Sequence, residues 1–277
     1  MSVAKITILH DAFGRERPTL RKDWGFAALV ERDGKRILFD TGNGLRTFAD
    51  NAAALAVDLQ SLDFAVISHR HGDHTTGIAH LLSFAPGVPI YVPEETYGVF
   101  GSRLAGMFFP RCHSLPAYMR YYGGSPPEVI EHGTPWPGAN FIHVTEVTEV
   151  APDIFVVPVV SDVLGTRELR ELSLAVRNAD GLILVVGCSH PGIERILEAC
   201  RGLASTTRAI VGGLHWVLLS EVEVSSRAEG LRKTWGVHQI APGHCTGELA
   251  FAALQRVFGD DYRFAGLGEV LTFSADA

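Results

Sequence analysis

Residues 64–74 read Phe64-Ala65-Val66-Ile67-Ser68-His69-Arg70-His71-Gly72-Asp73-His74, and their reading decides the fold. The first four are apolar and partly β-branched, as in a short buried strand. From Thr75 the run TTGIAHLLSF has helical character, with Thr75 or Thr76 as its cap. Between strand and helix, four ligand-type side chains crowd one tight loop in the order His-x-His-x-Asp-His. His69 and His71, two apart in extended chain, point the same way and can grip one cation. Asp73 and His74 follow where the chain turns and face a second position. Two ions so placed can activate water and clamp a developing oxyanion. The alternative, a polar turn whose histidines merely cap a helix, is disfavoured by the crowding of ligand types.

Working outward, residues 3–10, 24–31 and 36–39 read as strands, with Asp33-Gly34 as a hairpin turn. The third strand stops at Asp40-Thr41-Gly42, a carboxylate at a strand end. A helix is predicted over 44–57, then the ligand loop, the helix 75–84 and a strand at 88–92. Residues 94–140 lack periodicity and are rich in Gly, Pro and aromatics. A stretch so long without a repeat is commonly functional, and it is expected to be an insertion covering the active site. Within it Phe108, Phe109, Tyr118, Tyr121 and Tyr122 either wall a pocket or pack the insertion onto the body.

Strands are predicted again at 141–144, 154–157, 172–176 and 182–186, the last ending at Gly187-Cys188-Ser189-His190-Pro191-Gly192. After a helix at 193–200, a strand at 209–211 ends at Gly212-Gly213-Leu214-His215. A helix at 221–233 follows, then a strand at 239–240 ending at Ala241-Pro242-Gly243-His244, a helix at 247–258 and a strand at 270–273. Hairpins followed by alternating β and α occur twice. This predicts an α/β (α+β) chain of two similar halves, each a sheet covered by helices: a four-layer αββα sandwich in a single domain spanning 1–277. Asp40, residues 69–74, His190, His215 and His244 all sit where strands end, so one edge of the sandwich can gather them.

With 47% hydrophobic residues among 277, there is ample material for a core. The net charge of −7 and a pI near 5.9 argue against nucleic acid as a partner. Arg15, Arg17, Arg21 and Lys22 are expected on a solvated loop. The start, MSVAKITILHD, shows no secretory pattern, and no apolar run reaches the roughly 18 residues of a membrane span. Cys112, Cys188, Cys200 and Cys245 make no zinc-ribbon spacing. A cytoplasmic protein acting on a small molecule is expected, with no membrane or nucleic-acid partner; nothing in the sequence marks its oligomeric state.

LFDTG at 38–42, SHRHGDH at 68–74, GCSHPG at 187–192, GGLH at 212–215 and PGHCTG at 242–247 together resemble the metallo-β-lactamase superfamily. The last three resemble a branch of metal-dependent hydrolases that includes 7,8-dihydropterin-6-methyl-4-(β-D-ribofuranosyl)aminobenzene 5′-phosphate synthase. The resemblance implies the αββα fold and one or two metal ions, commonly zinc, with manganese or iron as alternatives. It assigns His69 and His71 to metal 1, and Asp73, His74 and His244 to metal 2. Asp40 would orient the histidine loop by hydrogen bonds. Where the superfamily usually has a bridging Asp, this chain has Cys188, expected as a buried thiol beside the ligands, with thiolate ligation as the other reading. None of His80, His113, His132 and His143 has the context of the usual downstream ligand, so His190 is taken as the third ligand of metal 1.

Without a bridging carboxylate, a mononuclear site or a loosely held second ion is expected. Asp73 is also a candidate proton acceptor. His215 either polarises substrate and donates a proton, or is simply packed. Arg167 and Arg170 either bind an anionic substrate group or pair with Glu168 and Glu171 on a helix surface. The expected activity is metal-dependent hydrolysis of a small ester, amide or phosphoester. The alternatives are a transferase condensing a dihydropterin with an aminobenzene ribofuranosyl phosphate, and a di-iron redox protein.

Overall fold

Ala4, Ile6 and Ile8 alternate along the first strand, β1 (Val3–His10), and turn to one face. The same period-2 pattern recurs across two sheets. The computed structural model describes residues 3–95, 98–106, 110–132 and 136–274, with the backbone alone at 102–104 and 131–132. The first sheet runs β15 (Val270–Ser274), β1, β2 (Ala27–Arg32), β3 (Lys35–Phe39), β4 (Phe64–Val66), β5 (Pro89–Pro93), β8 (Asn140–Val144). Its strands are antiparallel from β15 to β3 and parallel from β3 to β8. The second sheet runs β14 (Gln239–Gly243), β13 (Thr207–Gly213), β12 (Gly181–Val186), β11 (Arg170–Asn178), β10 (Ile154–Val160), β9 (Thr148–Ala151). Here β9 to β12 are antiparallel, and β12 to β14 parallel.

The inner faces meet in one core. Ile6, Ile8, Val30, Phe39 and Val66 of the first sheet join Val156, Leu174, Val185 and Val211 of the second, all buried. The outer face of the second sheet, including Val157, Leu184 and Ile210, is covered by α4 (Ile193–Ala199), α5 (Glu221–Lys233) and α6 (Glu248–Phe258). On the first sheet α1 (Leu45–Ala54) and α3 (Ile78–Phe84) bury Phe48, Ala52, Ile78 and Leu81. The result is the four-layer αββα sandwich.

Three expectations are corrected in detail. The helix predicted over 75–84 is instead a single turn, α2 (Gly72–Thr75), followed by α3. At Gly77 between them a Cβ would lie 2.3 Å from the Thr41 carbonyl oxygen and 2.8 Å from the Phe48 ring. Residues 24–26 do not pair as strand, because Gly25 adopts φ +131° and approaches Asp73 so closely that a Cβ would come within 2.4 Å of its carbonyl oxygen. Residues 170 and 171 open a strand rather than lie on a helix surface, and Glu171 is buried. Strand β9 had no clear sequence signal.

Residues 94–137 form a separate compact unit. It contains an antiparallel pair, β6 (Ser102–Ala105) and β7 (Val129–His132). It also contains a cavity of about 120 Å³ lined in part by Arg111, His113, Arg120 and Tyr121. Tyr118, Tyr121 and Tyr122 are exposed, while Phe108 and Phe109 lie outside the described residues. Among the described residues no helix is long and apolar enough to cross a membrane. The basic residues near the N-terminus make solvated ion pairs, Arg15 and Arg17 with Glu269, Arg21 with Asp50, and Lys22 with Glu16.

Candidate metal centre

The parallel strands of both sheets deliver polar residues at their carboxyl ends, where open α/β sheets commonly bind ligands. Asp40 follows β3, residues 68–74 follow β4, Cys188 and His190 follow β12, His215 follows β13 and His244 follows β14. The ladder continues into the site, since the Asp40 amide donates to the Val66 carbonyl at 2.8 Å.

Two triads of ligand atoms assemble there. In the first, one nitrogen each of His69, His71 and His190 lie within 4.8 Å of one another. His69 Nδ1 meets the Ser68 hydroxyl at 2.8 Å, which leaves its Nε2 facing His71 Nδ1 at 3.0 Å. In the second triad, Asp73 Oδ2 lies 3.4 Å from His244 Nε2 and 3.7 Å from His74 Nε2. The Cys188 sulfur lies between the triads, 3.2 Å from His74 Nε2. It groups with His69 and His74, with His190 and His215, and with His244 and Cys245. Cys245 is 57 residues from Cys188 and donates weakly to its carbonyl oxygen at 3.7 Å. The structure thus brings together all nine sequence-predicted site residues, Asp40, His69, His71, Asp73, His74, Cys188, His190, His215 and His244. It leaves out His80, whose ring packs on Phe84 at 4.6 Å, and His143, which is exposed on β8.

The residues present fit one or two cations. Both ring nitrogens of His190 and of His244, and Nδ1 of His215, are buried without a hydrogen-bond partner. Burying such groups unsatisfied is costly, and a cation relieves that cost. The donor set of imidazoles, one carboxylate and a nearby thiol is of the zinc-binding type.

The electrostatics of His69, His190 and Asp73 agree with ligation. Burial, aided by His215 and His71, lowers His190 to about 2, and burial with His74 nearby holds His69 well below its usual value. Both rings are therefore neutral and offer lone pairs. Burial opposes charge on Asp73, yet the His244 and His74 imidazoles beside it keep its carboxyl well below the usual range. Burial likewise opposes a proton on His74, but the Asp40 carboxylate wins and raises it to about 9. The Cys245 thiol is the main cause of the raised value of His215, and burial pushes the Cys188 thiol well up.

Three buried carboxylates hold this loop cluster. Asp40 takes the Ser68 amide at 2.6 Å on Oδ1, and the Ser68 hydroxyl and His74 Nδ1 at 2.7 Å each on Oδ2. Glu171 accepts from the backbone amides of Cys188, Ser189 and His190 at 2.9, 2.7 and 2.8 Å. Asp11 accepts from the His244 amide at 2.9 Å. Burial lifts both Glu171 and Asp11 to about 7, opposed by these amides. Asp40, Ser189, His215 and His244 all adopt positive φ, between +48° and +62°, a conformation costing roughly 1–3 kcal/mol per residue and typical of functional sites. Sequence reading missed Glu171, Asp11, Ser68, Cys245 and Trp24, whose ring lies 4.9 Å from that of His244. Of these, Asp11 had a signal, since like Asp40 it is a carboxylate directly after a strand.

Comparison with known proteins supports the same family. The beta-lactamase superfamily domain model matches residues 35–116. The chain is 26% identical over 274 residues to the 7,8-dihydropterin-6-methyl-4-(β-D-ribofuranosyl)-aminobenzene-5′-phosphate synthase of Methanocaldococcus jannaschii, covering 90% of this chain and 88% of that protein. The crystal structure of Tm1679, a metal-dependent hydrolase of the β-lactamase superfamily, superposes with a TM-score of 0.69 at 24% identity, covering 99% of this chain and 100% of that one. The metallo-β-lactamase fold protein YhfI from Bacillus subtilis gives 0.61 at 13% identity, with 99% and 100% covered. With the His-x-His-x-Asp-His loop seated at the strand ends of an αββα sandwich, the chain has the fold of these proteins and is similar to the beta-lactamase superfamily domain over residues 35–116.

Proposed function

We propose that this protein is a metal-dependent hydrolase of a small ester, amide or phosphoester. The observation that carries the reading is the pair of ligand triads, His69/His71/His190 and Asp73/His74/His244, meeting on either side of the Cys188 sulfur. Zinc suits these donors, with manganese or iron as the alternatives a metal analysis would reveal. Bound ions would activate water and polarise a substrate oxygen. The chain's own groups handle the protons and the substrate. Asp73, ionised, offers Oδ2 as an acceptor. His215, at the rim with an unpartnered Nδ1, can deliver a proton to the leaving group. Trp24, 44% exposed against the His244 ring, presents an apolar wall beside the site. The net charge of −7 disfavours nucleic acid as substrate, and the three buried free thiols suit a reducing compartment such as the cytoplasm.

The test is metal content per chain by inductively coupled plasma mass spectrometry on protein purified without added metal, followed by assays on lactones, phosphodiesters and amides. One or two zinc ions with turnover of a member of that panel supports the hydrolase; metal-free protein overturns it. A second reading rests on the alignment with the M. jannaschii synthase over 90% of the chain: a transferase joining a dihydropterin to an aminobenzene ribofuranosyl phosphate. Arg111, His113 and Arg120 around the cavity within residues 94–137 would suit its phosphate. Product formation from those two substrates, with none from hydrolase substrates, would favour it. Iron with a visible absorption band would favour the di-iron redox reading.

A further inference from the structure

His190 and His244 have no hydrogen bond at either ring nitrogen. Apart from the Asp73 carboxylate 3.4 Å from His244 Nε2, their side chains are oriented through packing and through the backbone that carries them. His74 differs, because Asp40 holds its ring directly at Nδ1. What fixes the other two is remote in sequence. Glu171, 1% exposed at the start of β11, spreads its two oxygens over three successive amides, those of Cys188, Ser189 and His190. That loop is strained at Ser189, φ +62°; the Ser189 hydroxyl donates to the Gly213 carbonyl at 2.8 Å and the Ser161 hydroxyl to the His190 carbonyl at 3.2 Å, but only Glu171 takes these three amides. Asp11, fully buried, holds the His244 amide with one oxygen and the Phe13 amide with the other, each at 2.9 Å. His244 is itself strained, at φ +48°. Neither carboxylate is near enough to the ligand atoms to be grouped with them.

A buried carboxylate is stable only when its lone pairs are filled, and here backbone amides of the ligand loops fill them. The relation is reciprocal: each loop keeps its conformation because the carboxylate collects its amides. We propose that Glu171 and Asp11 are positioning residues for two different ions, Glu171 presetting His190 for the His69/His71/His190 triad and Asp11 presetting His244 for the Asp73/His74/His244 triad. This rests on the metal-centre reading above. It goes further in dividing the supporting shell by site. A neutral amide in place of either carboxylate turns an NH₂ towards a backbone N–H, so the loop must shift and its histidine with it.

The test compares zinc binding by chelator-stripped wild type, Glu171→Gln and Asp11→Asn, using competition with a chromophoric chelator. His190→Ala and His244→Ala serve as references that assign each step. Groups supporting a ligand typically contribute 10–100-fold in metal affinity. Glu171→Gln is expected to lose about that much at the step removed by His190→Ala and to leave the other step unchanged, with the reverse for Asp11→Asn. If wild type takes a single ion, one variant weakens it and the other does not. Equal weakening by both, or none by either, overturns the proposal while the metal centre stands. Wild type that takes no zinc overturns the metal centre itself. Should a variant fail to fold, hydrogen exchange in ion-free wild type decides. The amides of Cys188, Ser189, His190 and His244 should be protected before any ion is added, and exchange at the rate of open loops would refute the presetting.

Discussion

Asp40 concentrates three bonds in one fully buried carboxylate: the Ser68 amide, the Ser68 hydroxyl and His74 Nδ1. It contacts no substrate; what it does is leave His74 Nε2 free to face the second triad. Asp40→Ala should weaken zinc binding about 10–100-fold, whereas His69→Ala, which deletes a donor, should abolish binding at its ion; competition titration ranks the two. The same pair sets a pH dependence. In the ion-free protein Asp40 raises His74 to about 9 from the ordinary 6.5 of an imidazole, so at neutral pH the ring carries a proton that an ion at Nε2 must expel. Ion affinity should therefore rise with pH up to about 9, and binding at pH 7 should release a proton, seen as a buffer-dependent enthalpy in calorimetry. The sign for folding is opposite. His74 is a base whose value is raised on folding, so its stabilisation of the ion-free fold is fully present below 6.5 and lost as pH rises through about 9.

At the scale of elements, the site exists because two strand exits touch. Gly187, leaving β12, lies so close to the ligand loop after β4 that a Cβ would come within 2.3 Å of Ser68 Oγ and 3.2 Å of Asp40 Oδ2. Gly187→Ala should force the exits apart, costing about 1–3 kcal/mol as overpacking does, and should displace Ser68 and Asp40 from His74. A lowered midpoint of thermal unfolding together with weaker zinc binding is the expected result; unchanged zinc binding would mean that the contact does not support the site. This contact also explains what could be read from the sequence. The ligand loop was legible because His69, His71, Asp73 and His74 lie within one turn of chain, and strand ends such as Asp40 and His244 were legible from the alternation that precedes them. Glu171 and Cys188, 17 residues apart, meet because β11 and β12 pair as a hairpin, whereas Asp11 and His244, 233 apart, meet because the two sheets close. No local pattern marks the second pair, and the first needs the register of the hairpin, which the alternation alone does not give. The break between α2 and α3 was illegible for the same reason, since the atoms that crowd Gly77 belong to Thr41 and Phe48.

At the scale of the whole molecule, every candidate ligand and every supporting carboxylate belongs to the unit made of residues 1–93 and 138–277. Both sheets, the core between them and the helices over them lie there as well. The hydrogen bonds that Asp40, Glu171 and Asp11 make to the candidate loops all lie within this unit, so the metal centre should form without residues 94–137. The strands they connect, β5 and β8, are parallel neighbours, with Pro89 opposite Asn140 and Pro93 opposite Val144. A replacement linker must therefore run back along a strand, a distance of about 13–17 Å, which about ten Gly/Ser residues span. The shortened protein should fold cooperatively and bind zinc with wild-type stoichiometry and affinity. If residues 94–137 cover the active site, as their composition led us to expect, its turnover should fall chiefly through a higher KM for the preferred substrate, while small unselective esters are hydrolysed as before. Loss of zinc would mean that residues 94–137 help to hold the strand exits. Unchanged KM for every substrate would remove them from substrate binding and leave the loops after β4, β12, β13 and β14 to determine specificity.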